Sequence, residues 1–295
     1  MSVVAVGAYT RDLYMFGPRL PGPGETVDCP EYAESHGGKG ANQAVAAARL
    51  GARTILITRL GRDRFGQEAF SLLEGEGIDM TNVTMDDEVG TGVGFIILDS
   101  CGMQLITTYA GASGRMTVED MEHARPALER AAVLLLQGEI KAEVSLAAAW
   151  LAGESTTVVL DPGPAEPFLE RGDFTRVDVL TPNEQEAAVL TGKAQPRAVD
   201  VQAATGVPMV IVKRGAEGAE VFYNGETQHV PAPPARVVDT TGAGDAFNGT
   251  LAAGLDRGLG LIRAVEHACR CASFSVGRKF CIPSFPTLEE VPWPE

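Results

Sequence analysis

The chain has 295 residues, 45% of them hydrophobic, so it can bury a large core as one large domain or two small ones. Its formal net charge of −15 opposes nonspecific attraction to nucleic acid or to an anionic membrane, which favours a small-molecule partner. The five cysteines are odd in number and form no CxxC pair, so neither a disulfide framework nor a zinc site is indicated. Because the sequence contains no recognisable signal peptide or membrane-spanning run, we expect a cytoplasmic protein.

The first fifty residues alternate between short strands and glycine-rich turns. Residues 3–6 are a β-branched run that is typical of a buried parallel strand. Residues 9–16 and 32–36 are predicted to form exposed strands of a flap around a turn rich in proline and glycine. Residues 37–43 (GGKGANQ) then begin an alanine-rich helix that ends at Gly51.

The next part of the chain changes its pattern. A strand at 55–58 and a helix at about 66–74 form one β-α unit. Segments 92–98 and 104–109 then flank the turn signal at residues 99–102 with no helix between them. This hairpin is therefore expected to leave the parallel sheet and to join the flap strands.

From residue 131 onward, short apolar runs alternate with helical stretches, which predicts an α/β fold with a parallel sheet and helices on both faces. The predicted strands are at 133–136, 157–160, 177–180 and 209–212. Ligands of such sheets collect beyond the carboxyl ends of the strands. The polar residues that follow these strands are Glu139, Asp161, residues 181–186 and residues 213–218.

A glycine-rich stretch at 239–249 (DTTGAGDAFNG) precedes an amphipathic helix. The small residues Gly242, Ala243 and Gly244 would let an anion approach the free N–H groups at the start of that helix. Asp245 in the same turn would repel a phosphate unless cations screened it or the carboxylate itself took part in chemistry. The alternative is an aspartate that only favours the first turn of a helix.

Two other motifs also have a structural interpretation beside a functional one. The GGKG string at 37–40 either gathers polar and glycine residues for a function at a helix N-terminus or is a tight turn with a solvated lysine. It is not a P-loop, because Lys39 is followed by glycine. With Asn183 as N-cap, Glu186 falls at N3 and completes a capping box, which explains both residues without a ligand. Capping and ligand binding can coexist at the same helix end.

Taken together, residues 37–44, 181–184 and 239–249 resemble the ribokinase family, the phosphofructokinase-B sugar kinases. Residues 18–26, 160–165 and 278–279 strengthen the resemblance, which covers nearly the whole chain. It implies one kinase domain over residues 1–295, with a doubly wound parallel sheet and a small β-sheet lid inserted at about 9–36 and 91–110. It also implies a homodimer formed through the lid.

The resemblance implies an ATP-dependent kinase that phosphorylates a hydroxymethyl oxygen of a pentose, with D-ribose as the first expectation. Asp245 would be the base, and the N–H groups of Gly242, Ala243 and Gly244 would hold the transferring phosphoryl group. The residues implied to bind the sugar are Thr10, Asp12, Gly38, Lys39, Asn42, Glu139 and Asp245. The residues implied to bind ATP are Asn183, Lys213, Arg214, Gly215, Ala216, Glu217, Gly218, Gly244 and Cys269.

Two metal ions are also implied by the resemblance. Glu186 would act on Mg²⁺ through water, because magnesium loses its waters reluctantly. A monovalent cation, K⁺, would bind close to the anion site. Its ligands would come from Asp239, Thr241, Ser275, Arg278, Phe280 and Ser284. The alternative for Asp239 is an aspartate that initiates a turn.

The sequence departs from the family pattern at four positions. Thr10 stands where an asparagine is usual, His36 where an aromatic residue is commoner, and Ser113 where Gly-Ala-Asn is usual. Phe280 replaces a glycine in the cation loop. The alternatives to a ribose kinase are therefore a kinase of another sugar (deoxyribose or a fructose-like hexose), a kinase of a nucleoside, and a non-catalytic sugar-binding protein. A nicotinamide dehydrogenase is disfavoured, because G-x-G-x-x-G does not follow the first strand.

Overall fold

The computed structural model describes residues 2–101 and 103–294. Gly102, predicted as the last residue of the hairpin turn, and the terminal residues Met1 and Glu295 lie outside the described residues. The strands are, in chain order, β1 (Val3–Val6), β2 (Thr10–Phe16), β3 (Glu31–Gly37), β4 (Thr54–Gly61), β5 (Val83–Asp86), β6 (Gly92–Leu98), β7 (Gln104–Tyr109), β8 (Val133–Gln137), β9 (Thr157–Asp161), β10 (Val179–Leu180), β11 (Met209–Lys213), β12 (Ala219–Tyr223) and β13 (Glu226–Val230).

The helices connect the strands of the large sheet and lie on its two faces. They are α1 (Lys39–Arg49), α2 (Arg64–Gly75), α3 (Val118–His123), α4 (Arg125–Leu128), α5 (Ala142–Leu151), α6 (Glu166–Arg171), α7 (Glu184–Thr191), α8 (Ala198–Thr205), α9 (Ala243–Asp256) and α10 (Leu261–Ser275). In the part of the chain that is described, none of them is long and apolar enough to cross a membrane.

Nine strands form the large sheet in the order β13-β12-β11-β10-β9-β8-β1-β4-β5. The strands from β11 to β5 run parallel, as the alternating β-α pattern predicted. Strands β12 and β13, which the sequence analysis did not predict, add an antiparallel edge next to β11. The predicted strand at 177–180 is shorter in the structure, where only Val179–Leu180 pairs with its neighbours.

Alternation along the strands divides the core into two layers. Val3 and Ala5 point to the face covered by α1, α9 and α10, whereas Val4 and Val6 point to the face covered by helices such as α5 and α7. Because both faces of the central strands are covered, these strands are apolar over most of their length. This confirms the doubly wound α/β fold.

The other four strands form a separate small sheet in the order β3-β2-β6-β7. Strand β2 pairs antiparallel with β3 and parallel with β6, and β6 and β7 form the predicted hairpin. The hairpin therefore leaves the parallel sheet and joins the flap strands, as predicted. This small sheet is called the lid below.

Helices α1 and α9 pack unusually close to one another. Gly249 of α9 faces the backbone of α1, and a Cβ at this position would lie 2.5 Å from the Gln43 carbonyl oxygen and 2.5 Å from the Ala46 Cβ. Gly40 of α1 in turn lies against the backbone of Gly7, directly after β1. These contacts bring the N-termini of α1 and α9 together at the carboxyl edge of the sheet, where both glycine-rich motifs lie.

Candidate active site

Asp245 lies in the first turn of α9, where only 6% of its surface is exposed. Its two carboxylate oxygens accept hydrogen bonds from two side-chain amides of α1. Asn42 Nδ2 donates to Oδ2 at 2.9 Å, and Gln43 Nε2 donates to Oδ1 at 3.0 Å. Burial raises the pKa of Asp245, while the nearby Lys39 ammonium and the two amides act against that rise. The carboxylate is thus held in one orientation at a helix N-terminus.

The glycine-rich turn before Asp245 leaves the end of the helix open to a ligand. Gly242 is the N-cap of α9, with a φ of 79°, and no side chain caps the helix. A Cβ at position 242 would lie 3.0 Å from the Cys281 side chain, so both the left-handed backbone and the close approach favour glycine. The N–H of Ala243 donates to the Thr240 carbonyl at 3.2 Å. A helix N-terminus of this kind attracts anions.

Asp12 of β2 is one of the carboxylates on the lid side of Asp245. The Thr10 hydroxyl donates to Asp12 Oδ1 at 2.8 Å. Gly37 and Gly94, on the two neighbouring lid strands, leave room for this carboxylate, since a Cβ at either position would collide with it. Burial raises the pKa of Asp12 to about 6, and the charge of Asp245 adds to that shift.

Glu139 follows β8 and faces the start of α1. Its Oε2 accepts a hydrogen bond from the Lys39 N–H at 2.6 Å. The side chain remains accessible to solvent, yet the surrounding protein removes enough water to raise the pKa of Glu139 to about 7. The charges of Asp245 and Asp12 contribute to this rise. The three carboxylates therefore lie close to one another in one site.

Lys39 connects this carboxylate site to the neighbouring cleft. Gly38 before it has a φ of 87° and touches the backbone of Ala8, so no side chain fits there. The Lys39 ammonium group lies 3.1 Å from Asp161 Oδ2. Burial acts to lower the pKa of Lys39, but the carboxylates of Asp161, Asp245 and Glu139 outweigh it and raise the pKa well above its usual value.

A cleft of about 630 Å³ lies on the other side of the α9 N-terminus. Seven of the nine residues predicted to bind ATP line it, namely Asn183, Lys213, Gly215, Ala216, Gly218, Gly244 and Cys269. Lys39, Glu186 and Thr240 also reach it. The cleft therefore extends from the anion-binding helix end toward the antiparallel edge of the sheet.

Arg214 and Glu217 are not among the residues that line the cleft. The Arg214 guanidinium instead forms an ion pair with Glu220 at 2.5 Å, another with Glu184 at 3.1 Å, and a hydrogen bond to the Pro196 carbonyl at 2.9 Å. These contacts tie β11 and β12 to the start of α7.

One wall of the cleft is apolar and was not predicted from the sequence. It comprises Ala232, Pro233, Pro234, Ala235, Val237, Ala272 and Val276. The wall residues at 232–237 lie in a proline-rich apolar run without strand or helix periodicity, whereas Ala272 lies in α10 and Val276 directly follows it.

The capping box at Asn183 and Glu186 is present. The Asn183 side chain accepts from the Glu186 N–H at 2.8 Å, and the Glu186 carboxylate accepts from the Asn183 N–H at 2.8 Å. Both residues also line the cleft. The capping interpretation is therefore correct, and it leaves the two residues available to a ligand.

Asp239 joins two loops beside the α9 N-terminus. Its Oδ1 accepts from the N–H of Thr241 at 2.9 Å and from the Thr241 hydroxyl at 2.6 Å, which confirms the turn-initiating interpretation. Its Oδ2 accepts from the N–H of Phe280 at 2.8 Å. Phe280 has a φ of 66°, in the left-handed region that favours the glycine of the family pattern. Of the other predicted cation ligands, the Ser284 hydroxyl donates to the Cys281 carbonyl at 2.7 Å.

The donor set of the cleft suits magnesium without a protein cage. Among the residues that the structure describes, no group of three or more histidines, cysteines, aspartates or glutamates could hold a metal ion. Magnesium is usually held by one or two carboxylates together with substrate phosphates and water. Glu186 supplies a carboxylate in the cleft, near the Lys213 ammonium that would meet those phosphates.

Comparison with known proteins decides the family. The family model described as pfkB family carbohydrate kinase matches residues 1–288. The chain belongs to the pfkB family of carbohydrate kinases. It is therefore a phosphotransferase that acts on a sugar hydroxyl, and the resemblance seen in its motifs is confirmed.

Several other kinases are similar to this chain along nearly their whole length. Ribokinase of Mus musculus is 33% identical over 302 aligned residues, which cover 99% of this chain and 94% of that protein. Deoxyribokinase of Salmonella typhi is 32% identical, with 98% of this chain and 97% of that protein covered. The structure of Arabidopsis thaliana ribokinase complexed with ribose and ATP has a TM-score of 0.84 and 32% identity, covering 98% of this chain and 97% of that one.

Three departures from the pfkB pattern of ribokinases have identifiable contacts. The Thr10 hydroxyl donates a hydrogen bond to Asp12, as described above. His36 lies between the Tyr9 hydroxyl, 2.7 Å from Nδ1, and the Arg11 guanidinium, 3.1 Å from Nε2. The buried Ser113 hydroxyl donates to the Arg59 carbonyl at 3.1 Å. The Ser113 hydroxyl also accepts from the Tyr9 N–H at 3.3 Å, so His36 and Ser113 both contact Tyr9, directly before β2.

Proposed function

We propose that the protein transfers the γ-phosphoryl group of ATP to the hydroxymethyl oxygen of a pentose, converting D-ribose to ribose 5-phosphate. The observation that carries the proposal is the position of Asp245. Its carboxylate is held between the cleft that contains most of the predicted ATP residues and the site formed by Asp12, Asn42 and Glu139. A base between two substrate sites is what transfer to a hydroxyl requires.

The proposed reaction needs a proton acceptor and charge neutralisation. The hydroxymethyl oxygen attacks the γ-phosphorus, its proton passes to Asp245, and the bond from the γ-phosphorus to the β,γ-bridging oxygen breaks to release ADP. The N–H groups of Gly242, Ala243 and Gly244 would stabilise the charge on the transferring group. Lys39 and Lys213 would neutralise phosphate oxygens at the same end of the cleft. When bound, Mg²⁺ would neutralise further phosphate charge, held by Glu186 through water.

The sugar side offers acceptors and donors at the spacing of hydroxyl groups. Asp12 and Glu139 provide carboxylate oxygens. Asn42 donates to Asp245, while its own Oδ1 is buried and has no hydrogen-bond partner among the described residues. Because an unpaired buried acceptor is costly, a sugar hydroxyl that donates to Asn42 Oδ1 would be favoured.

The proposal is tested by measuring ADP release from ATP with Mg²⁺ and K⁺ against D-ribose, 2-deoxy-D-ribose, D-fructose and adenosine. We expect the highest kcat/KM with D-ribose. Higher kcat/KM with adenosine would assign a nucleoside kinase instead. Binding of sugars without turnover of any acceptor would leave a non-catalytic sugar-binding protein.

Deoxyribose is the second candidate, and Thr10 favours it. Because the Thr10 hydroxyl donates to Asp12, part of the acceptor capacity of that carboxylate is used inside the protein. A substrate with one hydroxyl fewer then leaves fewer groups unpaired, and a deoxyribokinase is 32% identical to the chain. A site that binds the hydroxyl absent from deoxyribose would favour D-ribose by up to about 10⁴ in kcat/KM. A ratio near one between the kcat/KM values for D-ribose and 2-deoxy-D-ribose would therefore favour deoxyribose as a true substrate.

A monovalent cation site at the Asp239 loops is part of the proposal. Hard oxygen ligands suit K⁺, and the Asp239 carboxylate lies where the 239–241 turn meets Phe280. We expect kcat to rise with added KCl and not with choline chloride at the same ionic strength. Equal rates in the two salts would refute a functional K⁺ site.

A further inference from the structure

Asp161 is a buried carboxylate at the centre of the polar network; the sequence marked it as a polar residue after a strand and as part of segment 160–165, without assigning it a role. It ends β9 and is 1% exposed. Its Oδ2 accepts from the Lys39 ammonium at 3.1 Å, from Gln43 Nε2 at 3.1 Å and from Asn248 Nδ2 at 2.9 Å. The Lys213 ammonium lies 3.5 Å from Oδ1. Both lysines of the phosphate end of the cleft therefore converge on one carboxylate.

Gln43 links this carboxylate to Asp245. Its Nε2 donates one hydrogen bond to Asp161 Oδ2 and another to Asp245 Oδ1, and its Oε1 accepts from Gln137 Nε2 at 3.0 Å. The side chain is fully buried. Because both N–H groups and the carbonyl of this amide are engaged, Gln43 cannot rotate without breaking a hydrogen bond. It fixes the separation and relative orientation of the two carboxylates.

We propose that Asp161 is a positioning residue for phosphoryl transfer, which holds the Lys39 and Lys213 ammonium groups at the phosphate end of the cleft and orients Asp245 through Gln43. This inference rests on the proposed kinase function. Without ATP, the two ammonium groups need a counter-charge in a site with little water, and Asp161 supplies it. When phosphates arrive, the lysines are already in place, so little reorganisation accompanies the transfer step.

Asp161 also acts on Asp245 by its charge. Facing Asp245 are the Lys39 cation, the carboxylates of Asp161, Asp12 and Glu139, the Cys281 thiol, and the amides of Asn42 and Gln43. The negative charge of Asp161 favours the protonated form of Asp245, whereas the hydrogen bond from Gln43 favours its ionised form. Removing either partner should therefore shift the titration of Asp245, in opposite directions.

The test compares Asp161→Asn and Gln43→Met with the wild type in steady-state kinetics and as a function of pH. For Asp161→Asn we expect kcat to fall about 10-fold to 100-fold, with the KM for ATP unchanged or lower, because only the positioning of groups is lost. We expect the acid limb of its kcat profile to move to lower pH. For Gln43→Met, kcat should fall as well, but the acid limb should move to higher pH.

Asp178→Asn is the matched control. Asp178 Oδ2 accepts only from the Val158 N–H in the part of the chain described, at 2.8 Å, so its loss lowers stability without touching the network. A merely structural role of Asp161 would make Asp161→Asn resemble this control, with kcat and both pH limbs unchanged. That result, or acid limbs of Asp161→Asn and Gln43→Met that move the same way, would overturn the proposal.

Calorimetric binding of ATP separates this proposal from the kinase proposal. If no acceptor is turned over by the wild type, the kinase proposal fails, but the network can still be tested by affinity. Asp161→Asn removes a carboxylate that competes with phosphates for the two ammonium groups, so it should bind ATP as tightly as the wild type or more tightly. A tenfold weaker affinity would show that Asp161 contributes to ATP binding itself and not only to positioning for the transfer step, which would overturn the proposal. If Asp161→Asn does not fold, the pH profile of Gln43→Met decides. An acid limb at higher pH than in the wild type supports the proposal, and an unchanged acid limb overturns it.

Discussion

At the residue scale, the proposed reaction depends on the Asp245 carboxylate. Asp245→Asn keeps the shape of the side chain but removes the proton acceptor. We expect kcat to fall about 100-fold or more, since base catalysis is typically worth 10² to 10⁴. The affinities for ATP and for the sugar should stay within about twofold, because the groups that form both sites remain. Turnover by ADP release and binding by calorimetry measure the two effects separately, and a near-normal kcat would refute Asp245 as the base.

Arg214 gives a second prediction at this scale, because its contacts lie outside the cleft. Arg214→Met removes the 2.5 Å ion pair to the buried Glu220, whose remaining ion pair among the described residues is the weaker one with Arg197. We expect the free energy of unfolding to fall by about 1–2 kcal/mol, while the KM for ATP stays within about twofold. Urea denaturation and ATP titration check this.

Arg197→Met is the control for that measurement. Arg197 is 64% exposed in its side chain and lies 3.2 Å from Glu220, so its loss should cost less than about 1 kcal/mol. A large rise in the KM for ATP on Arg214→Met alone would instead restore Arg214 to the ATP site predicted from the motif.

At the scale of elements, the site depends on how closely α1 and α9 approach. Gly249→Ala would place a methyl group 2.5 Å from the Gln43 carbonyl oxygen. The two helices must separate, which should destabilise the protein by about 1–3 kcal/mol. Because α1 carries Asn42 and Gln43 while α9 carries Asp245, kcat should fall as well. Gly75→Ala at the end of α2 is the control, since nothing lies within 4 Å of its added methyl group and helix propensity favours alanine.

The spacing of apolar residues predicted most strands and helices, because such residues recur with a different period in a strand than in a helix. The hairpin strands at 92–98 and 104–109 are where the alternation placed them. Strands β12 and β13 were missed, since β13 is mostly exposed and its polar residues hide the alternation. The glycine-rich motifs at 37–44 and 239–249 were visible as strings in the sequence. The network around Asp161 was not, because it joins residues more than 80 positions apart through side chains that carry no local signal.

At the scale of the whole molecule, the raised pKa of Glu139 links stability to pH. Between its ordinary value of 4.5 and about 7, the folded protein keeps a proton on Glu139 that the unfolded chain has lost. The folded state then binds more protons, so this contribution to stability is lost as pH rises through that window. Glu139→Gln removes it. In urea denaturation, the free energy of unfolding of the wild type minus that of Glu139→Gln should decrease between pH 4.5 and 7. A difference that stays constant over this range would contradict the raised pKa.

The lid gives the last prediction, which concerns assembly. All six residues of β7 are exposed, and Leu105, Ile106 and Tyr109 are large apolar side chains among them. Tyr32 and Phe95 on other lid strands are also exposed, and the strand register places them on the same face of the lid as Leu105 and Tyr109, whereas Ile106 lies on the opposite face. An apolar sheet surface with an exposed edge strand favours a partner sheet, so we propose a homodimer formed by two lids.

Sedimentation should therefore give the mass of a dimer for the wild type and of a monomer for Leu105→Asp, because a buried unpaired carboxylate opposes the contact. Val118→Asp is the matched control, since Val118 is an exposed valine at the start of α3, outside the lid. It should leave the dimer intact. A monomeric wild type, or two variants that dissociate equally, would remove the lid as the dimer contact.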